Sequence, residues 1–392
     1  MYRRLEFGGE LRSDAPKEGS IRVSASKMWW SIAALVLVAA CSGDATEPSS
    51  TSRPPITSTT EVAPQGDAPP QPTTTTADEP VPGLQGAVLV PAAQLVLQAF
   101  PVPTGSRPHD VAPAPDGGVW YTAQGSGELG WLDPNTGDTK HIPLGPGSRP
   151  HGVIVGPDGA AWVTDGGLNA IVRVDPATDE VEVFPLPADR PDANLNTATF
   201  DGSGLLWFTG QNGVYGRLDP TSGVIDVFDA PRGRGPYGIA TAPSGDVYYA
   251  SLAGSYVGQL DADGAVAVLE PPTPSQGARR VWADSQGKIW VSEWNTGALS
   301  RYDAATGEWA TWPLPGARPQ AYAVYVDEFD AVWLSDFGDN AIVRFDPITQ
   351  AFDVFPLPSN PGDVRQILGR PGEVWGAESA ADQLIVIREQ TS

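Results

Sequence analysis

Seven residues of chemically useful type recur along the chain at nearly constant spacing. His109, His151, Asn194, Tyr237, Arg279, Tyr322 and Arg365 are separated by 42, 43, 43, 42, 43 and 43 positions. A second set follows later in each interval: Asp165, Glu293, Asp336 and Glu378, with the uncharged Ala123, Gly210 and Ser251 at the remaining places. Imidazoles, guanidiniums, phenols and carboxylates gathered around one point suit a polar ligand with an apolar part better than a bare metal ion. Each type also has a purely structural use. Arg-Pro-His reads equally as a strand-entry motif whose imidazole caps a backbone carbonyl, and the acids as solvated loop charges. Arg279 or Arg365 could pair with Asp363 or Glu378 and so satisfy a polar channel. His141 falls outside the series, on an outer strand, and reads as a surface residue.

The elements that must hold these residues come from a repeat. Trp120, Trp162, Trp207, Tyr248, Trp290, Trp333 and Trp375 are spaced by 42, 45, 41, 42, 43 and 42. Each follows a tight turn such as Pro115-Asp116-Gly117 and opens a short strand such as Trp162-Val163-Thr164. A second turn comes later, as in Asp133-Pro134-Asn135-Thr136-Gly137 or Asp219-Pro220-Thr221-Ser222-Gly223, and each unit closes with a strand ending in proline. These Asp-rich turns match hairpin chemistry and lack the ligand density of a calcium loop. Four short strands per unit, seven times over, predict an all-β seven-bladed β-propeller over residues 93–390. The innermost strands would then line a central channel, with the seven recurrent residues around one mouth and the second set of loops on the same face.

The ends of the repeat predict closure of the ring. The seventh unit runs out of chain after three strands, and a matching outer strand precedes the first unit at Leu95–Pro103. Pairing the two removes two exposed sheet edges, which a linear solenoid would leave open.

The order Arg-Pro-His-Gly-Val, Pro-Asp-Gly, Trp-Val-Thr-Asp, Ile-Val-Arg-Val-Asp and Phe-Pro-Leu-Pro over residues 149–187 resembles the virginiamycin B lyase (streptogramin lyase) family of seven-bladed propellers, and the likeness covers residues 95–388. The resemblance implies elimination across an ester C–O bond of a cyclic depsipeptide, with two histidines, one of them the base, and two glutamates holding Mg2+. Carrying that set over gives two outcomes. Matched in chain order, the metal acids fall on Asp363 and Glu378, while the histidine places become Tyr322 and Arg365. Rotated so that the histidines coincide, His109 and His151 take the catalytic places, Arg149 replaces one acid and Asp165 supplies the other. One match keeps the acids and gives up the base; the other keeps the bases and gives up most of the metal site.

Composition bounds the rest. The chain has 392 residues, 44 of them Gly and 40 Pro, a density that breaks long helices. A formal charge of −23 makes nucleic acid an improbable partner, because phosphates would be repelled. The single cysteine excludes an intrachain disulfide and a cysteine-based zinc site. That cysteine ends an apolar run, Met28–Ala40, of about 13 residues, which suits a secretory signal better than a spanning helix of about 20. Val38-Ala39-Ala40-Cys41 resembles the lipobox of bacterial lipoproteins, which implies a signal region over residues 1–40, lipidation at Cys41 and an extracytoplasmic, lipid-anchored location. Residues 41–92 are rich in Ser, Thr and Pro and cannot bury enough surface to offset chain entropy. They read as a disordered tether with a reach on the order of 100 Å.

Three functions follow as expectations. The first is a binding propeller that grips a small molecule, a peptide or a protein partner at the channel mouth through Asn194, Tyr237, Arg279, Tyr322, Arg365, Glu293 and Asp336. The second is a Mg2+-assisted carbon–oxygen lyase of the family type. The third is a calcium-dependent hydrolase of the gluconolactonase-like propellers, which ranks last because it wants several acids in the ring itself.

Overall fold

The computed structural model describes residues 89–390. The signal-like segment, Cys41 and nearly all of the Ser/Thr/Pro-rich stretch lie outside the described residues. The described residues form seven four-stranded antiparallel sheets, with one 3-10 turn at Ala92–Gln94 and no α-helix among them. Six sheets are consecutive meanders. The seventh joins three C-terminal strands to the strand Leu95–Pro101. The fold is therefore the expected seven-bladed propeller, closed by its own N-terminal strand.

The innermost strands of blades 1 to 7 are Pro108–Pro113, Pro150–Val155, Leu195–Phe200, Pro236–Thr241, Ala278–Ala283, Ala321–Val326 and Val364–Arg370. The second strands are buried almost throughout, whereas outer strands such as Val181–Pro185 and Phe352–Pro356 mix half-buried and exposed positions. That gradient is what radial packing requires, since inner strands are covered by neighbouring blades and outer strands meet water. The recurrent tryptophan has a local reason. In blades 3, 5 and 6 its indole N–H donates to the aspartate of the preceding turn, at 2.8 Å for Trp207 to Asp201, 2.9 Å for Trp290 to Asp284 and 2.7 Å for Trp333 to Asp327. The same aspartates accept backbone N–H groups of their turns. One residue pair thus fixes a turn and satisfies the polar edge of a ring wedged into the blade packing.

The closing strand pairs with Gln383–Glu389 over seven residue pairs, from Leu95 with Glu389 to Pro101 with Gln383. Phe100 packs 5.6 Å from Trp375, centroid to centroid. The Asp382 carboxylate accepts the backbone N–H groups of Gly105 at 2.8 Å and Arg107 at 2.7 Å, tying the two ends of the described chain together.

All seven inner strands share an irregularity: the register with the second strand shifts just after the first paired residue. A hydroxyl on the second strand fills this bulge in five blades. Thr122, Thr164, Thr209, Ser292 and Ser335 accept the backbone N–H of Asp110, Gly152, Thr197, Arg280 and Ala323 respectively. Thr122 and Ser292 also donate to the carbonyls of His151 and Tyr322 in the next blade, at 2.8 and 2.6 Å. The bulge re-aims the strand so that two successive residues present their side chains to the channel.

Candidate functional site

Register with the second strands defines the channel mouth. Pro108, Pro150, Leu195, Pro236, Ala278, Ala321 and Val364 pair with Ala123, Asp165, Gly210, Ser251, Glu293, Asp336 and Glu378. The residues next along the inner strands form the first ring: His109, His151, Asn196, Tyr237, Arg279, Tyr322 and Arg365. Six are those expected from spacing. The third is corrected: Asn194 is exposed, precedes its strand and has a left-handed φ of 51°. The loop before blade 3 shifts the count by two residues. Asn196, buried in the strand, donates through Nδ2 to His151 Nε2 at 3.3 Å.

The second ring, one residue further in, escaped the spacing argument altogether. It consists of Asp110, Gly152, Thr197, Gly238, Arg280, Ala323 and Gln366. Blades 2, 4 and 6 contribute small residues, and the space they leave is taken by Arg280. Its guanidinium reaches Thr197 Oγ1 at 2.7 Å in blade 3, the Arg365 carbonyl at 3.3 Å in blade 7 and Asp110 Oδ1 at 3.5 Å in blade 1. A Cβ on Gly238 would lie 2.6 Å from the Cα of Arg280, so glycine is what lets the two strands approach there. Arg280 is a strut across the channel.

His109 and His151 lie in contact, their ring centroids 3.9 Å apart and their planes inclined at 47°. His109 Nδ1 is 2.7 Å from Asp110 Oδ1, which fixes the ring and leaves Nε2 without a hydrogen-bond partner among the described residues. Burial, followed by the charges of Arg365, Arg280 and Arg279, holds the His109 pKa well below its usual value. Burial and then the neighbouring imidazole do the same for His151. Both rings are therefore neutral at ordinary pH. Burial raises the Asp110 pKa against the opposing pull of Arg280.

Across the mouth, Arg279 sits in a box of aromatic faces. Its guanidinium carbon lies 3.4 Å from the Tyr322 centroid, 4.4 Å from Trp294 and 4.7 Å from Tyr237, and it donates to the Tyr237 hydroxyl at 3.1 Å. Phe337 stacks on Tyr322 at 4.6 Å and carries Arg365 at 5.6 Å. Burial pushes the Tyr237 pKa upward, yet the Arg279 and Arg280 charges outweigh it and leave the pKa lowered. Trp294 and Phe337 were not singled out in the sequence, although a signal exists: an aromatic follows the acid directly in Glu293-Trp294 and Asp336-Phe337.

The expected acids serve the scaffold. Asp165 accepts backbone N–H groups of Arg149 at 2.9 Å, Gly167 at 2.8 Å and Leu168 at 2.9 Å, besides the Ser148 hydroxyl. Asp336 accepts those of Gln320 at 2.8 Å and Gly338 at 2.9 Å. Glu293 is bonded to the Thr296 and Ser300 hydroxyls, and Glu378 to the Gln383 amide. Asp363 faces Arg365 at 3.4 Å. Asp165, Asp363 and Glu378 belong to no described group of three metal-ligating side chains; Asp165 is taken up by its own loop and Asp363 by Arg365, while Glu378 keeps Oε1 buried without a partner. His141, half-buried on its outer strand, bonds Tyr121 at 2.7 Å and Glu128 at 2.9 Å.

Among the described residues, the one cluster of three metal-ligating groups is His109, Asp110 and His151, whose donor atoms lie within 4.8 Å of one another. Magnesium seeks an octahedral shell of oxygens. This cluster offers two imidazoles and one carboxylate that is already bonded to His109, with the Arg280 guanidinium at 3.5 Å. The residues present do not fit it. The first ring contains no carboxylate, which also counts against the calcium-dependent hydrolase.

The model of the virginiamycin B lyase family matches residues 138–392, more than half of the chain. Among solved structures, the virginiamycin B lyase of Staphylococcus aureus is 19% identical with a TM-score of 0.70, covering 76% of this chain and all of that one. A catalytically inactive histidine-to-alanine variant of that enzyme with quinupristin gives the same values. YCF48 bound to D1 peptide is 16% identical with a TM-score of 0.59, over 76% of this chain and 96% of that one. Among curated proteins, no sequence relative matches.

Proposed function

The chain belongs to the virginiamycin B lyase family, and from that premise we propose that it is a ligand-binding member, held outside the cytoplasm by a lipid on Cys41. The observation that carries the reading is Arg279, boxed by Tyr237, Tyr322 and Trp294 at the channel mouth, with Arg365 beside it on Phe337. A half-buried guanidinium framed by aromatic faces recognises a ligand that joins a polar acceptor group to a flat apolar body. The chemistry suits a small molecule or a peptide equally.

One observation favours a second reading, elimination on a cyclic depsipeptide. The His109–Asp110 bond of 2.7 Å orients a neutral imidazole whose Nε2 could accept a proton next to a carbonyl. A streptogramin B antibiotic serves as the probe for both. The binding reading expects saturable binding, weakened at least about tenfold by Arg279→Ala or Tyr237→Ala, with the ring intact by mass spectrometry whether or not Mg2+ is added. A linear product of unchanged mass bearing a dehydrated residue, lost in His109→Ala, would establish the lyase instead. A product heavier by one water would mean hydrolysis.

The location has its own test. Cys41→Ala should release the protein from membranes or leave its signal unprocessed. A mature chain starting well beyond Cys41 without lipid would refute the anchor.

A further inference from the structure

The inner strands run from the first ring, through the Arg280 strut, to the other end of the channel. There they open into a chamber of about 620 Å3. Its walls are the C-terminal halves of the same strands, and they include Ile154, Phe200, Ile239, Trp282, Val324 and Ile367. Ile154, Phe200 and Trp282 are only half-buried, so apolar surface lining the chamber remains in contact with water. The volume falls within the range of small-molecule sites.

Among the described residues, Arg280 is the one charged residue that lines this chamber. It is 4% exposed, and its Nε–H finds no acceptor although its terminal nitrogens do. A buried donor without a partner is unfavourable until an acceptor arrives. Asp110, which faces the guanidinium at 3.5 Å from the other side, does not line the chamber. The strut therefore offers positive charge at the floor of an apolar cup, within a chain whose net charge is −23.

We propose that this chamber is a second ligand site, separate from the channel mouth, that takes a compact organic anion. Its charged group would rest at Arg280 and its apolar body against Trp282, Phe200 and Ile367. The strut stands between the two sites; of the mouth aromatics, Tyr237 lies against it at 5.4 Å, whereas Trp294 packs on Arg279, Tyr322 and Phe337.

Titration of the full chain with 8-anilinonaphthalene-1-sulfonate, followed by fluorescence, tests this. Saturable binding is expected, tighter than that of the uncharged N-phenyl-1-naphthylamine. Filling the chamber by Val324→Trp or Ala198→Met should weaken the sulfonate at least about tenfold, while Trp294→Ala at the mouth should leave it within about twofold. The proposal is overturned if filled variants that still melt cooperatively bind as tightly as the parent, or if Trp294→Ala abolishes binding. Equal affinity of the parent for the charged and uncharged probes overturns it as well, and that comparison stands even if neither filled variant folds.

Discussion

His109 and His151 lie 3.9 Å apart, centroid to centroid, and both have pKa values pushed well below 6.5, first by burial; the charges of Arg365, Arg280 and Arg279 add to this at His109, and those of His109 and Arg280 at His151. In the unfolded chain both histidines regain ordinary values. Below about pH 6.5 the unfolded state therefore takes up protons that the folded state refuses, and stability, complete above that pH, falls as acid is added. Each histidine contributes a slope of up to about 1.4 kcal/mol per pH unit in that window. Asp110 acts in the opposite sense, because burial raises its pKa and protonation favours the folded state. Chemical denaturation at pH 7.5 and at 5.5 should show the loss, and His151→Gln, which still accepts from Asn196, should flatten it. An unchanged loss in that variant would mean that other groups carry the acid sensitivity. At this scale the sequence was legible in part. Periodicity found six of the seven ring residues because one blade is one repeat. It missed Asn196, because the loop before blade 3 is longer and spacing counts residues rather than hydrogen bonds.

At the scale of the strand, the tryptophan spacing could be read because its cause is local: the turn aspartate and the indole N–H bond each other a few residues apart, as in Asp201 and Trp207. The bulge could not be read in the same way. It depends on which residue of the inner strand faces which residue of the second, and a shift of one position exchanges channel for core. The hydroxyls of Thr122, Thr164, Thr209, Ser292 and Ser335 were visible in motifs such as Trp-Val-Thr-Asp, yet their use is to fill a register shift that only the paired strands reveal. The same shift explains why Arg279 and Arg280 both reach the channel. The carboxylates at the ends of the second strands, which the sequence left open between ligand and loop roles, need the loop backbone to be read. Asp165 resembles a loop charge facing a mouth, whereas three backbone N–H groups at 2.8 to 2.9 Å make it the clamp of its own loop. A carboxylate spent in this way is poorly placed to take a metal.

For the whole molecule, the decisive contact is the one between its ends. A propeller shares its core between neighbouring blades, so an open seam exposes two faces at once. Here Phe100, 6% exposed, and Val102, 7% exposed, belong to a cluster with Trp375, Leu384 and Val386 from the opposite end of the chain. Asp382 holds the backbone at Gly105 and Arg107. A chain starting at residue 89 keeps every one of these contacts, and its melting temperature should match that of the full-length protein. A chain starting at residue 105 loses the strand Leu95–Pro101, its seven residue pairs and both buried side chains. Burial of two such side chains stabilises by at least about 3 kcal/mol before any hydrogen bond is counted, and the bared edge of Gln383–Glu389 invites pairing between molecules. The shorter chain should therefore melt well below the longer one and associate at concentrations where the longer one stays monodisperse, as read by thermal unfolding and light scattering. Equal melting temperatures would show that six complete blades and a three-stranded seventh hold the ring without the clasp. The packing of Phe100 on Trp375 argues against that result, because removing the strand uncovers a tryptophan that the last blade cannot cover by itself.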